Sequence, residues 1–138
     1  MKALGLDLGN ASLGIAISDQ HGMLARGVEN FRFKADDLVA AKNKVLDILQ
    51  LEFVHVIVLG YPKNMDGTIG KQAQQSEHFK NMLRDNTDIP IVLWDERLTT
   101  KMASSMMIDQ NLKRKKRKKT LDQSSAVILL QSYLDSKK

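Results

Sequence analysis

Ala3-Leu4-Gly5-Leu6-Asp7-Leu8-Gly9-Asn10-Ala11-Ser12-Leu13-Gly14-Ile15-Ala16-Ile17-Ser18 is the stretch that decides the fold. Ala3 to Leu8 alternates as a strand does, Gly9 to Ser12 is a turn, and Leu13 to Ser18 is a second strand. Asp19-Gln20-His21-Gly22 makes another turn, after which Met23 to Phe33 supplies a third strand. Three strands joined by such short turns form an antiparallel meander. Within the first strand, Leu4, Leu6 and Leu8 point to one side and Gly5, Asp7 and Gly9 to the other.

Outward from the meander the hydrophobic period changes. Leu38, Ala41, Val45, Ile48 and Leu49 recur at three- and four-residue spacing, which predicts an amphipathic helix with Asp36 as its N-cap. Phe53 to Leu59 is nearly unbroken in its apolar character, the pattern of a parallel strand covered on both faces. A loop punctuated by Gly and Pro follows from Gly60 to Gly70, then a helix from about Lys71 to Arg84 turned inward through Ala73, Phe79, Met82 and Leu83. Ile91 to Trp94 is a further short strand. Thr99 or Thr100 can cap a helix carrying Met102, Met106 and Met107, most simply packing residues. Thr120-x-x-Gln123 is a capping box opening a last helix through Ala126, Leu129, Leu130 and Tyr133. The order βββ-α-β-α-β-α-α calls for an α/β fold. Its mixed five-stranded sheet, a three-strand antiparallel meander plus two parallel strands, is flanked by helices on both faces. Function in such sheets gathers at the carboxyl ends of the strands.

Composition bounds what this fold can do. The 138 residues suit one domain, with a flexible basic loop at about 112–120. The chain has 21 cations and 16 acids, a net +5, but seven of the cations form one run, Lys113-Arg114-Lys115-Lys116-Arg117-Lys118-Lys119. The other 14 cations face 16 acids, so a mildly acidic domain carries a basic strap. No stretch approaches the roughly 20 apolar residues a membrane helix needs. Asp7 and Asn10 interrupt the only run resembling a signal peptide. Without cysteine there is no disulfide framework, thiolate zinc site or Cys nucleophile, and a cytoplasmic protein is expected. Ser18, Ser76 and Ser104 lack a His-Asp partnership, and His21 and His78 have no partner at metal spacing. His55, inside an apolar run, reads as a hydrogen-bonded core histidine.

The acids are the informative residues. A carboxylate in a core strand costs several kcal/mol unless paired or bound to metal, and Gly5 and Gly9 clear space around Asp7 for a ligand. Its plainer role is a hydrogen bond to the Gly9-Asn10 turn. Asp95-Glu96-Arg97 follows the strand Ile91 to Trp94, so one of these two acids can face the crevice of Asp7; acids before a helix cap are also ordinary helix-entry chemistry. Asp122 falls in the first turn of the last helix, where the dipole favours an acid in any case. Together the three make an all-oxygen site suited to Mg²⁺ or Mn²⁺. Two such ions about 3.5–4 Å apart clamp the attacking and leaving oxygens of a phosphodiester. The basic run beside Asp122 has no interleaved aromatics, so it would grip phosphates rather than stack bases.

At this point whole motifs resemble a known family. Gly5-Leu6-Asp7-Leu8-Gly9 with Gly14-Ile15-Ala16-Ile17-Ser18-Asp19 is similar to the opening of the YqgF, or RuvX, family of ribonuclease H-like nucleases. Gly60 to Thr68 resembles its second motif, Asp95 to Thr100 its third and Asp122 to Leu130 its last, all in order along the chain. The resemblance implies a ribonuclease H-like fold, a divalent-metal site and a bacterial cytoplasmic location. By position it puts the catalytic and metal-binding acids on Asp7, Glu96 and Asp122. It implies trimming of the 5′ end of precursor 16S rRNA, or resolution of four-way DNA junctions. Relatives usually carry a Lys where this chain has Ala11, so Lys63 or Arg97 would serve the phosphate.

The expected enzyme is thus a metal-dependent endonuclease acting on precursor rRNA or branched DNA, as a monomer or weak homodimer. Two rivals stand beside it. A nucleic-acid-binding protein with structural acids would bind without metal and without turnover. Asp7-Leu8-Gly9-Asn10 also resembles the phosphate turn of actin-like ATPases, but those close two domains around a nucleotide and this chain has the length of one.

Overall fold

The computed structural model describes residues 2–63, 66–96 and 125–137. Its strands are β1 (Lys2–Leu8), β2 (Ser12–Ser18), β3 (Ala25–Arg32), β4 (Val54–Tyr61) and β5 (Ile91–Asp95). The helices are α1 (Leu38–Leu51), α2 (Lys71–Arg84) and α3 (Ser125–Ser136). The sheet runs β3-β2-β1-β4-β5, antiparallel across the first three strands and parallel from β1 to β4 to β5. This is the expected mixed sheet. The helix expected from Thr99 or Thr100, the basic run and the capping box of Thr120 and Gln123 lie outside the described residues.

Alternation along β1 sorts the two faces as expected. Leu4, Leu6 and Leu8 join Leu13, Ile15 and Ile17 of β2 and Ile57 and Leu59 of β4 under α1 and α2, where Val45, Phe79 and Leu83 complete the core. On the opposite face Ala3, Ala16, Val56 and Val58 pack under Ala126, Leu129, Leu130 and Leu134 of α3. Gln131 of α3 ties down the entry to β3, accepting from the Ala25 amide at 2.9 Å and donating to the Met23 carbonyl at 3.0 Å.

Several boundaries differ from expectation for identifiable reasons. Asp37 caps α1, accepting from the Ala40 amide at 3.2 Å; Asp36 instead adopts φ 66° and takes a hydrogen bond from Gln75. Phe53 stands outside β4 and is 87% exposed, whereas Gly60 and Tyr61, expected in the loop, complete the strand. β3 begins at Ala25 rather than Met23. His55 is exposed rather than a core histidine. Lys2 pairs with Val54 and Ala3 with Val56, so His55 is the unpaired residue of a bulge. Its Nδ1–H donates to the Lys2 carbonyl at 2.9 Å, because a carbonyl can only accept.

Candidate active site

Asp7 is the next-to-last residue of β1, opposite Gly14 of β2. Glu96 follows the last residue of β5 directly. The two carboxyl groups are hydrogen-bonded to one another. Two strands apart in the sheet and far apart in sequence, they meet because both stand at carboxyl ends of parallel strands, on the face that α3 covers. Trp94 of β5 packs on that face, with its ring edge against Tyr133 at 5.5 Å between centroids and its indole N–H on Ser132 Oγ at 3.2 Å. Strand alternation then turns Asp95, the Cα partner of Tyr61, away from that face, so the acid that reaches Asp7 is Glu96.

Burial pushes the Glu96 carboxyl up to about 8, reinforced by the hydrogen bond with Asp7 and by the negative charges of Asp7 and Asp95. The pair therefore favours holding one proton between its two carboxyl groups. Close carboxyl groups that cannot both ionise behave this way, and a cation between them reverses the preference.

Small residues shape the space around the pair. A Cβ at Gly14 would lie 3.6 Å from the Cβ of Asp7 and 3.3 Å from that of Ala126. A Cβ at Gly5 would come within 2.7 Å of Leu130 Cβ, so α3 lies directly on β1 beside Asp7. Gly60 lies beneath the Glu96 carboxyl. Gly60, expected in the loop after β4, and Gly14, which has no expected role in the site, both stand inside strands beside the pair. A glycine inside a strand was the available signal for both.

The other expected site residues divide into two groups. Lys63 follows β4 at the same end of the sheet, with its ammonium 5.7 Å from the centre of the Tyr61 ring. Asp66 accepts from the Thr68 amide at 2.9 Å and from its hydroxyl at 2.6 Å, which makes it a turn residue. Asp122, Arg97 and the cations Lys113, Arg114, Lys115, Lys116, Arg117, Lys118 and Lys119 lie outside the described residues. Among the described residues no three His, Cys, Asp or Glu gather as a metal-ligand set. Asp7 and Glu96 are the carboxyl pair that the described part brings together.

The family model for RuvX, described as Holliday junction resolvase, matches residues 1–136. The chain belongs to the RuvX family. Full-length RuvX relatives named "Putative pre-16S rRNA nuclease" include one from Geobacillus kaustophilus, 44% identical with all of both chains covered. Another, from Bacillus subtilis, is 42% identical with 99% of each chain covered. Among solved structures, Thermus thermophilus RuvC in complex with a Holliday junction substrate superposes with TM-score 0.64 at 9% identity, covering 99% of this chain and 95% of that one. The fowlpox virus Holliday junction resolvase gives 0.55 at 13% identity, covering 99% of each. At these identities the likeness is one of fold: this RuvX chain has the ribonuclease H-like architecture that its motifs implied.

Proposed function

We propose that the chain is a metal-dependent endonuclease that hydrolyses phosphodiester bonds in structured nucleic acid, with the 5′ end of precursor 16S rRNA as its substrate. The observation that carries this reading is the hydrogen-bonded pair of Asp7 and Glu96 at the carboxyl ends of β1 and β5. Carboxyl oxygens this close form a hard, all-oxygen donor set. That chemistry suits Mg²⁺ or Mn²⁺ and not zinc.

In this reading Asp7 and Glu96 hold the metal, and Asp122 completes the ligand set from the chain just before α3. An ion held there would supply an activated water and charge stabilisation for the departing oxygen. The chain's own residues do the rest. β1 and β5 fix the two carboxylates, while Lys63 and Arg97 hold phosphates close to them. The run from Lys113 to Lys119 grips the nucleic-acid backbone by charge alone. Ala11 offers the backbone no cation, which leaves that contact to Lys63 and Arg97. No covalent enzyme intermediate is needed, since water is the nucleophile. No helix among the described residues is long and apolar enough to cross a membrane. We place the activity in the cytoplasm, on a monomer or weak homodimer.

Precursor rRNA is preferred over branched DNA because relatives sharing more than two-fifths of their residues over the whole chain carry that name, whereas the junction-bound neighbour shares fold alone. A four-way DNA junction is the second reading, favoured by the family's description. The deciding assay offers both substrates to the wild type and to Asp7→Asn, each with Mg²⁺, Mn²⁺ or chelator. We expect metal-dependent cutting of the RNA precursor, faster than of the junction and lost in the folded variant. Binding without cutting under every condition would instead make this a binding module, and an Asp7→Asn variant of full activity would remove Asp7 from the mechanism.

A further inference from the structure

We propose that Gly60 is a positioning residue for Glu96: the missing side chain on β4 is the gap through which the Glu96 carboxyl reaches Asp7. The inference rests on the reading of Asp7 and Glu96 as ligands of a divalent cation. Its basis is the order of the strands. β4 lies between β1, which carries Asp7, and β5, which ends just before Glu96. With neighbouring strands about 4.8 Å apart, roughly 10 Å of sheet separates β5 from β1, and the side chains of Glu96 and Asp7 have to meet over β4 between them.

The crossing point is Gly60. Leu59 is the partner of Leu6, so Gly60 stands level with Asp7 on one side, and on the other it is paired with Trp94. A Cβ built on Gly60 would overlap Glu96 Oε1 outright, and would lie 3.1 Å from Glu96 Cδ and 2.8 Å from Leu129 Cδ1. Nor does the backbone require glycine there. The positive-φ glycines among the described residues are Gly22 and Gly67, and Gly60 is an ordinary strand residue. Glycine inside a strand weakens it, so its presence in β4, paired with Trp94 of β5, needs another reason. The reason is volume. Any side chain at position 60 would occupy the place of the carboxyl oxygen.

Two physical roles have to be separated: room for Glu96 and room for Leu129. The experiment titrates Mn²⁺ calorimetrically into wild type, Gly60→Ala, Gly60→Ala/Leu129→Ala, Glu96→Ala and Glu96→Ala/Gly60→Ala. It also records the melting temperature of each in chelator. We expect Gly60→Ala to weaken Mn²⁺ binding at least tenfold and the added Leu129→Ala not to restore it. With Glu96→Ala already present, Gly60→Ala should cause no further loss. In chelator, Gly60→Ala should lower the melting temperature when Glu96 is present and much less when it is replaced by Ala. Wild-type affinity in Gly60→Ala, or affinity regained by trimming Leu129, overturns the proposal. If the wild type takes up no Mn²⁺, the metal reading fails, and the melting temperatures still decide: equal losses with and without Glu96 overturn the positioning role. Should Gly60→Ala not fold, Glu96→Ala/Gly60→Ala should, because the methyl then meets only the flexible end of Leu129; failure of both would assign the glycine to Leu129 and end the proposal.

Discussion

Replacing Gly5 by Ala tests how closely α3 is set against the sheet. The new methyl would lie 2.7 Å from Leu130 Cβ and 3.3 Å from the Ala126 carbonyl oxygen. Carbon atoms in contact prefer about 3.5–4.0 Å, so the helix must retreat by roughly 1 Å. Neither obstacle can swing aside, since one is a carbon fixed to the helix backbone and the other is backbone itself. Overpacking of this kind costs about 1–3 kcal/mol. Against it, removing a glycine from a strand recovers about 0.5–1 kcal/mol. The net expectation is a loss of up to about 2.5 kcal/mol, about 1.2 kcal/mol at the centre of the two ranges, which for a chain of this size lowers the melting temperature by roughly 4–6 °C. The measurement is thermal and urea unfolding followed by circular dichroism, with an unchanged dependence on urea as the sign that only stability has moved. Leu130→Ala should not rescue the variant, because it leaves the offending Cβ in place. A Gly5→Ala protein as stable as wild type would refute the close seating of α3, and a rescue by Leu130→Ala would refute the assignment of the clash.

Two further outcomes follow from the charges. An acid whose folded-state pKa is raised stabilises the fold below its ordinary value near 4.5, and the contribution is lost as pH climbs through about 8. In chelator, Glu96→Gln should therefore flatten the decline in melting temperature between pH 5 and 9 and be the more stable protein at pH 8, while losing Mn²⁺ uptake; a parallel decline in both proteins would contradict this. Neutralising the seven cations from Lys113 to Lys119 should reduce the slope of log affinity for single-stranded RNA against log salt by up to about 5. An unaltered slope would mean that the run does not touch the backbone.

Much of the fold was legible because β1 and the first helix each follow one period. Leu4, Leu6 and Leu8 against Gly5 and Asp7 divided the faces correctly, and α1 buries Leu38, Ala41, Val45 and Ile48 at the expected spacing. What failed depends on partners. Asp36 and Asp37 are equivalent as caps in sequence; only the hydrogen bond from the Asp36 amide to the Asn10 carbonyl, 2.9 Å, shows why Asp36 is turned out of that role. His55 sits in an apolar run, and it is exposed because the pairing of β4 with β1 slips there, a property of two strands and not of one. The site divides in the same way. Asp7 was conspicuous as a carboxylate between glycines in a core strand. The strand pattern alone leaves Asp95 and Glu96 open, with only the family resemblance favouring Glu96; the facing of Trp94 toward α3 decides it, since one residue of register exchanges the faces. Gly60 reads as a loop residue in sequence, because punctuation by Gly and Pro marks a loop far more often than a gap in a strand, and only its pairing with Trp94 makes it a strand glycine.

The two faces of the sheet also divide the physical work. Under α1 and α2 the contacts are between large side chains, Leu4, Leu6, Leu13, Ile15, Ile17, Ile57, Leu59, Phe79 and Leu83 among them. Under α3 the sheet mixes Val56 and Val58 with the small residues Ala3, Gly5, Gly14, Ala16 and Gly60, and two carboxyl groups stand at its edge. Small residues bury less apolar area, and burial stabilises at about 25 cal/mol per Å², so the α3 face contributes less per residue. Glu96 adds a penalty of its own by being partly buried beside another acid. A site of this design is sustainable only where the opposite face supplies the surplus. The carboxyl pair costs the metal-free fold stability, and a divalent cation between the two groups would reverse that cost. Neutral substitutions at Glu96 should therefore strengthen the metal-free protein while abolishing its use for the metal, and that opposition separates a built cation site from an acid that is merely buried.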